Sequence, residues 1–309
     1  MDSNRRFLPS FALLLAAAAW GSTVVVAKGA YESSMTPAHL LISRLTLTAL
    51  CLLPAFLPHL RMKRETCVRG IILGLIFNTG LVLQMVGLEH TLPSLSGFIT
   101  ASYVVFTAIL TPLIMKQPTP GRTWIAVSLT LAGIGILALG NDGGGNDGFG
   151  LGTAITLLGA VLFALHIIFL GRWVEPETVQ SLTLMQALTG AMGMLCFLPF
   201  ADYQLPATWD LWWPVLYLGI FCGAVTLFLQ SWAQSYVPAT TSAVIMCSEP
   251  MWAAVFAIWA GMEELTWQVL TGGGLVVAAL LLTAWPGRSA SFLDALVEEL
   301  RSRRAHRGS

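Results

Sequence analysis

The sequence predicts an all-α membrane protein: ten transmembrane helices arranged as two inverted five-helix repeats around a central cavity. Three observations predict it. Hydrophobic residues make up 56% of the 309 residues and charged ones only 10%, too little charge to cover the surface of a soluble domain of this size. Lys and Arg fall almost entirely in alternate connecting segments. The chain also repeats itself at an offset of 143–146 residues.

A helix needs about 20 mostly apolar residues to cross the hydrocarbon. Breaks at charges and at Pro, Gly and Asp clusters divide the chain into spans at 8–28, 38–58, 69–89, 94–115, 122–140, 149–171, 179–200, 210–233, 239–260 and 266–285. The first is long enough to span and is followed by no cleavage signal, so it reads as a helix and not a leader. The stretch 211–248 has no charge, and its length and the Gln-Ser-Tyr-Val-Pro break at 234–238 divide it into two helices. Past the last span, Ser291–Arg304 reads as an amphipathic helix, with Phe292, Leu296 and Leu300 on one face.

One set of segments holds Arg5, Arg6, Arg61, Lys63, Arg64, Arg69, Lys116, Arg122, Arg172, Arg288, Arg301, Arg303, Arg304 and Arg307. The opposite set holds only Lys28, and Arg44 lies within a span. Cytoplasmic loops collect Lys and Arg, so both termini are expected in the cytoplasm. A missed helix would scramble this asymmetry.

The repeat shows in Leu50-Cys51-Leu52-Leu53-Pro54 and Leu195-Cys196-Phe197-Leu198-Pro199, in Thr123-Trp124 and Thr266-Trp267, in Gln84 and Gln230, and in Trp20 and Phe163. Each half has an odd number of helices, so the second enters from the opposite side. Inverted repeats belong to secondary transporters, which hold solute near the midplane between halves. The expected units are 1–141, 142–288 and a basic tail 289–309, with 141–150 a Gly-rich external linker. The linker carries neither calcium-ligand spacing nor a phosphate loop.

Polar residues in a span must face protein or water. The most informative is Glu249, followed by Pro250 in an otherwise uncharged run from Thr240 to Ala260. An ionisable group at that depth marks a solute or proton path by default, and the proline frees a carbonyl one turn earlier. The competing reading is a buried Glu bonded to a neighbouring helix. Ser96, Thr100, Tyr103, Thr107 and Thr111 share one face of the fourth span, and Gly223, Thr226, Gln230 and Gln234 one face of the eighth. Trp20, Thr23, Asn78, His166, Ser242, Met246 and Trp252 extend the set. Interhelical hydrogen bonding is the competing reading for any single Ser or Thr. Gly70-xxx-Gly74 and Gly219-xxx-Gly223 read as packing motifs. Arg44 matches Thr189 and Glu249 matches Tyr103 across the repeat, so the ionisable positions are those that differ.

Together the ten spans, Trp20-Gly21-Ser22, Lys28 closing the first span, Arg44 and Glu249-Pro250 resemble the EamA-type drug/metabolite transporter superfamily over residues 8–286. The resemblance implies a cavity lined by spans 1, 3, 4, 6, 8 and 9, and a neighbourhood near bacterial aromatic amino-acid and metabolite exporters. No acidic residue in the first half matches Glu249.

The resulting expectation is an inner-membrane exporter of amino acids or related metabolites by alternating access. Substrate contacts are expected from Trp20, Thr23, Asn78, Thr100, Tyr103, His166, Thr226, Gln230, Glu249 and Trp252, with Arg44 and Glu249 as charge-pair or coupling candidates. The alternatives are a carrier of a nucleobase, sugar or cationic drug, or a polytopic membrane enzyme. Against the enzyme, the spans hold no pair of Asp (Asp210 stands alone at the edge of its span), and His-Glu-x-x-His and Gly-x-Ser-x-Gly are absent. Five cysteines show neither metal nor disulfide spacing, and no cofactor, metal or nucleic acid is expected. The expected partners are the lipid bilayer and a small-molecule substrate, with proton coupling left open.

The topology is checked by labelling. In a background without the five native cysteines, a cysteine at position 144 should react with an impermeant reagent in intact cells and one at position 63 should not. Labelling of position 63 from outside would overturn the orientation.

Overall fold

In a computed structural model of the protein, residues 4–33, 35–56, 63–91, 93–116, 121–139, 150–201, 203 and 205–284 are described. The linker 141–149 and the tail 285–309, with its amphipathic helix, lie outside them. Among the described residues there is no strand.

Thirteen helices follow in order: α1 (Asn4–Glu32), α2 (Pro37–Phe56), α3 (Arg64–Glu89), α4 (Pro93–Ala101), α5 (Tyr103–Met115), α6 (Gly121–Leu139), α7 (Leu151–Trp173), α8 (Val179–Phe197), α9 (Trp209–Leu216), α10 (Thr226–Gln234), α11 (Ala239–Met246), α12 (Glu249–Trp259) and α13 (Trp267–Ala284). A π-helical segment, Tyr217–Val225, joins α9 to α10 without a break. By length and composition, seven helices among the described residues are long and apolar enough to cross a membrane. Shorter apolar helices cover Ile99–Met115, Trp124–Gly133 and Trp267–Ala279. Large apolar side chains on the outside, such as Leu113, Leu151 and Trp259, are exposed as lipid contact requires.

Two expected spans keep right-handed helical backbone throughout, but each is interrupted by a tightened turn. The fourth divides at Ser102 into α4 and α5, and the ninth divides at Cys247 and Ser248 into α11 and α12. The second break follows from Pro250, which has no N–H for the carbonyl of Met246 and whose ring crowds it. The first break carries no proline. It lies where the two broken pairs cross, with Gly97 against Pro250 and Ala253, and the Cys247 thiol 3.7 Å from the Ala101 carbonyl. Ser102 and Ser248 are 146 residues apart, within the repeat offset.

Packing pairs also exchange across the repeat. α3 lies against α7 and α8, while α1 lies against α10 and α2 against the π segment. α2 packs on α8, and α6 on α13. Small residues set these approaches, because van der Waals contact has to replace the hydrophobic effect in lipid. Gly70 and Gly74 lie on Met185 and Gln186 of α8, while Gly219 and Gly223 lie on Leu47 and Thr48 of α2.

One glycine contact reaches the centre. A Cβ at Gly21 would stand 2.7 Å from the Glu249 carbonyl oxygen and 2.6 Å from the Trp252 Cβ. Gly21→Ala should therefore force α1 and α12 apart and cost about 1–3 kcal/mol, as overpacking does. Gly135→Ala, with nothing within 4 Å, should not. Thermal unfolding in detergent checks this: equal melting temperatures for the two variants would refute the close contact.

Candidate functional site

The breaks and the π segment surround a cavity of about 460 Å³ of space not filled by atoms, part of it open to solvent. Its wall takes Trp20 and Thr23 from α1, Arg44 from α2, Phe77, Leu81 and Gln84 from α3, and Tyr103 from α5. Phe163, His166 and Ile167 come from α7, Gln230 from α10, Met246 from α11, and Glu249 from α12. Spans 1, 3, 4, 6, 8 and 9 all contribute, as the resemblance implied, and α2 joins them through Arg44.

Four pairs in this wall stand at the repeat offset of 143–146: Trp20 with Phe163, Thr23 with His166, Gln84 with Gln230, and Tyr103 with Glu249. Phe77 bridges the aromatic side, its ring centroid 6.0 Å from Trp20, 5.8 Å from Phe163 and 4.9 Å from His166.

The polar side is built by internal bonds. The Cys222 carbonyl, in the π segment, accepts from Trp20 Nε1 at 3.0 Å, Thr226 Oγ1 at 2.6 Å and Arg44 Nη2 at 3.4 Å. A π segment shifts the backbone ladder by one residue and recurs at functional sites. Here it turns one carbonyl into an anchor for three helices. Arg44 is only 2% exposed, and its Nε and Nη1 have no hydrogen-bond partner. Glu249 is 6% exposed and lies beside the Gln84 side chain in the wall. The Gln84 amide donates to Thr100 Oγ1 at 3.0 Å. The expected pairing is absent: no ion pair joins Arg44 to Glu249, although both line one cavity.

His166 is fully buried, with Nε2 2.7 Å from Gln186 Oε1. Because the Gln186 amide nitrogen donates to the Leu182 carbonyl, Oε1 is the acceptor and His166 Nε2 the donor. Nδ1 is then a bare acceptor, and it has no partner. Gln230 Oε1 is a second acceptor without a partner.

Seven expected residues meet here: Trp20, Thr23, Arg44, Tyr103, His166, Gln230 and Glu249. Four do not line it. Asn78 donates to the carbonyls of Gly74 and Gln186 and seats α3 on α8. Thr100 sits behind Gln84. Thr226 donates to Cys222 within its own helix segment. Trp252 stacks on Phe256 beside Gly21. Sequence reasoning did not place Phe77, Leu81, Gln84, Phe163 and Ile167 in the wall, although the repeat matches had already flagged Gln84 and Phe163.

Comparison with known proteins agrees with this architecture. The model of the EamA-like transporter family matches residues 8–139 and 150–285. The chain belongs to that family. It is 28% identical over 283 residues to an uncharacterized transporter of Archaeoglobus fulgidus, covering 92% of this chain and 88% of that one. It is 23% identical over 254 residues to the uncharacterized transporter YdfC of Bacillus subtilis, covering 80% and 82%. A solved crystal structure superposes with a TM-score of 0.73 at 17% identity, covering 91% of this chain and all of that one, which shows the fold alone. The EamA member described here is therefore a multi-pass membrane protein of a transporter family.

Trp20→Ala and Tyr103→Ala should each reduce transport in proteoliposomes well beyond any loss of folded protein, because both rings face the cavity. Folded yield by size-exclusion chromatography, read beside flux, checks this. A loss of yield that matches the loss of flux would assign the rings to the core.

Proposed function

We propose that this chain is a secondary transporter that exports amino acids or related small metabolites by alternating access. It works in the bacterial inner membrane, with ten spans in two inverted five-helix repeats and both termini cytoplasmic. The observation that carries the reading is the cavity at the crossing of the two broken helix pairs, lined from both halves at repeat-related positions.

The exchange of packing partners supports the inverted repeat: Gly70 and Gly74 on α8 answer Gly219 and Gly223 on α2. Two similar halves of opposite orientation can trade conformations, opening the site first to one side and then to the other. Lys28 fits an external position through a specific task. Its Nζ donates to the carbonyls of Leu88, Glu89 and Thr91, closing the C-terminal end of α3. The one basic residue outside the cytoplasmic set is thus a helix cap.

An amino acid suits the wall better than the alternatives. A cationic drug could meet Glu249 but would leave Arg44 without an anion, and a sugar would leave the Trp20, Phe77 and Phe163 face without an apolar partner.

Glu249→Gln in proteoliposomes tests the reading. The amide fills the same space, so the fold should persist. If Glu249 couples transport to protons, a pH gradient should drive accumulation of an amino acid by the wild type and not by the variant. Wild-type flux and an unaltered pH profile in the variant would leave Glu249 structural. Failure of the wild type to move any amino acid would refute the substrate class.

A further inference from the structure

Arg44 and Glu249 line one cavity, are both almost wholly buried, and do not pair. An unpaired guanidinium at this depth is costly. Only one of its nitrogens has a protein partner, a neutral carbonyl at 3.4 Å. Its other electrostatic neighbours are Tyr31 and Cys222, neither of them a carboxylate. Tyr31 gives its hydroxyl proton to the Met85 carbonyl at 3.3 Å. Glu249 lies beside the Gln84 amide and pairs with no cation. An arginine and a glutamate that face one space without pairing are complementary in kind to a third body with a carboxylate at one end and an ammonium group at the other.

We propose that Arg44 and Glu249 are the two poles of a zwitterion site: Arg44 receives the carboxylate of the solute and Glu249, with the free Gln230 Oε1, receives its ammonium group. This deepens the transporter reading and rests on it. It assigns a job to the unpartnered Arg44 Nε and Nη1, which are donors, and to the unpartnered Gln230 Oε1, an acceptor. The solute side chain then lies against the Trp20, Phe77 and Phe163 face. The Cys222 carbonyl anchors Arg44 in the cavity while leaving it in charge deficit. Arg44 acts as a specificity-determining residue: solutes without a carboxylate leave the guanidinium buried and unpaired.

Counterflow of radiolabelled L-leucine, L-phenylalanine and L-threonine in proteoliposomes tests this, with the amide and the decarboxylated amine of each as competitors. Wild-type protein should discriminate against both analogues on the order of a hundredfold, as removal of one partner from a buried charge pair predicts. Arg44→Gln should lose affinity for the amino acid and compete nearly equally with its amide, and Arg44→Lys should restore part of the discrimination. Equal competition by amide and amino acid in the wild type would overturn the Arg44 assignment and leave the transporter reading standing. So would discrimination that survives in a folded Arg44→Gln variant. If that variant does not fold, the wild-type analogues and Arg44→Lys decide alone. No counterflow of any of the three amino acids would overturn the substrate class and this site with it.

Discussion

A guanidinium and a carboxylate held inside an apolar bundle without touching each other set the terms for this structure. Either charge facing lipid would be expelled, so both sit on the inner faces of helices that close around a common space. The backbone around them is irregular for the same reason. Carbonyls released by Pro250 and by the π segment are tolerable only where protein or a cavity supplies partners. The Cys222 carbonyl shows this in one atom. It accepts from Trp20, Arg44 and Thr226, and so fixes α1, α2 and α10 relative to one another at the level of the cavity.

The scaffold that carries these groups is held mainly by close packing. α1 meets α12 through Gly21, α3 meets α8 through Gly70 and Gly74, and the π segment meets α2 through Gly219 and Gly223. Side-chain hydrogen bonds also cross between helices, and several of them converge near the cavity. Ser22 pairs with the Tyr217 hydroxyl at 2.8 Å, Asn78 bonds Gln186, and Gln84 bonds Thr100. In lipid such bonds are worth roughly a kcal/mol, because the separated helices also find partners. They set register more than they add stability. Trp20-Gly21-Ser22 illustrates the division of labour: Trp20 faces the cavity, Gly21 admits α12, and Ser22 bonds the π segment.

Much of the helical architecture was legible because lipid simplifies the code. Long apolar runs, and a charge-free stretch divided at 234–238, correspond to α10 ending at Gln234 and α11 starting at Ala239. Glu249-Pro250 pointed to a freed carbonyl one turn earlier, since proline removes a donor, but not to the tightened turn at Cys247 and Ser248. The break at Ser102 has no such marker, because it depends on the crossing with α12, a tertiary fact. Polarity at helical spacing found the right faces but not which groups were already engaged. Asn78 and Thr226 share those faces, and their donors are committed to backbone carbonyls. Arg44 was expected to pair with Glu249, with a solute carboxylate or with helix carbonyls, and it donates to one such carbonyl, that of Cys222. The structure removes the first option, and no charge pattern could have done so. The apolar wall of Phe77, Leu81 and Ile167 was invisible for a simpler reason: one more hydrophobic residue in a hydrophobic span carries no signal.

The repeat explains both what the two halves share and where they part. Trp20 and Phe163, and Gln84 and Gln230, keep similar chemistry, so each half offers an aromatic wall and an amide to the same space. An exchange of conformations between halves needs that likeness, because the closed form of one half must resemble the closed form of the other. Charge is distributed differently. Tyr103 answers Glu249, and Thr189 answers Arg44, so each charge has a neutral counterpart. A solute with two unlike ends has no two-fold axis, and a symmetric pair of charges would bind it in two opposed poses. Under the alternating access proposed above, asymmetry at these positions would select one pose while the matched scaffold and its glycine contacts carry the motion, so the ionisable residues can differ between halves that otherwise stay alike.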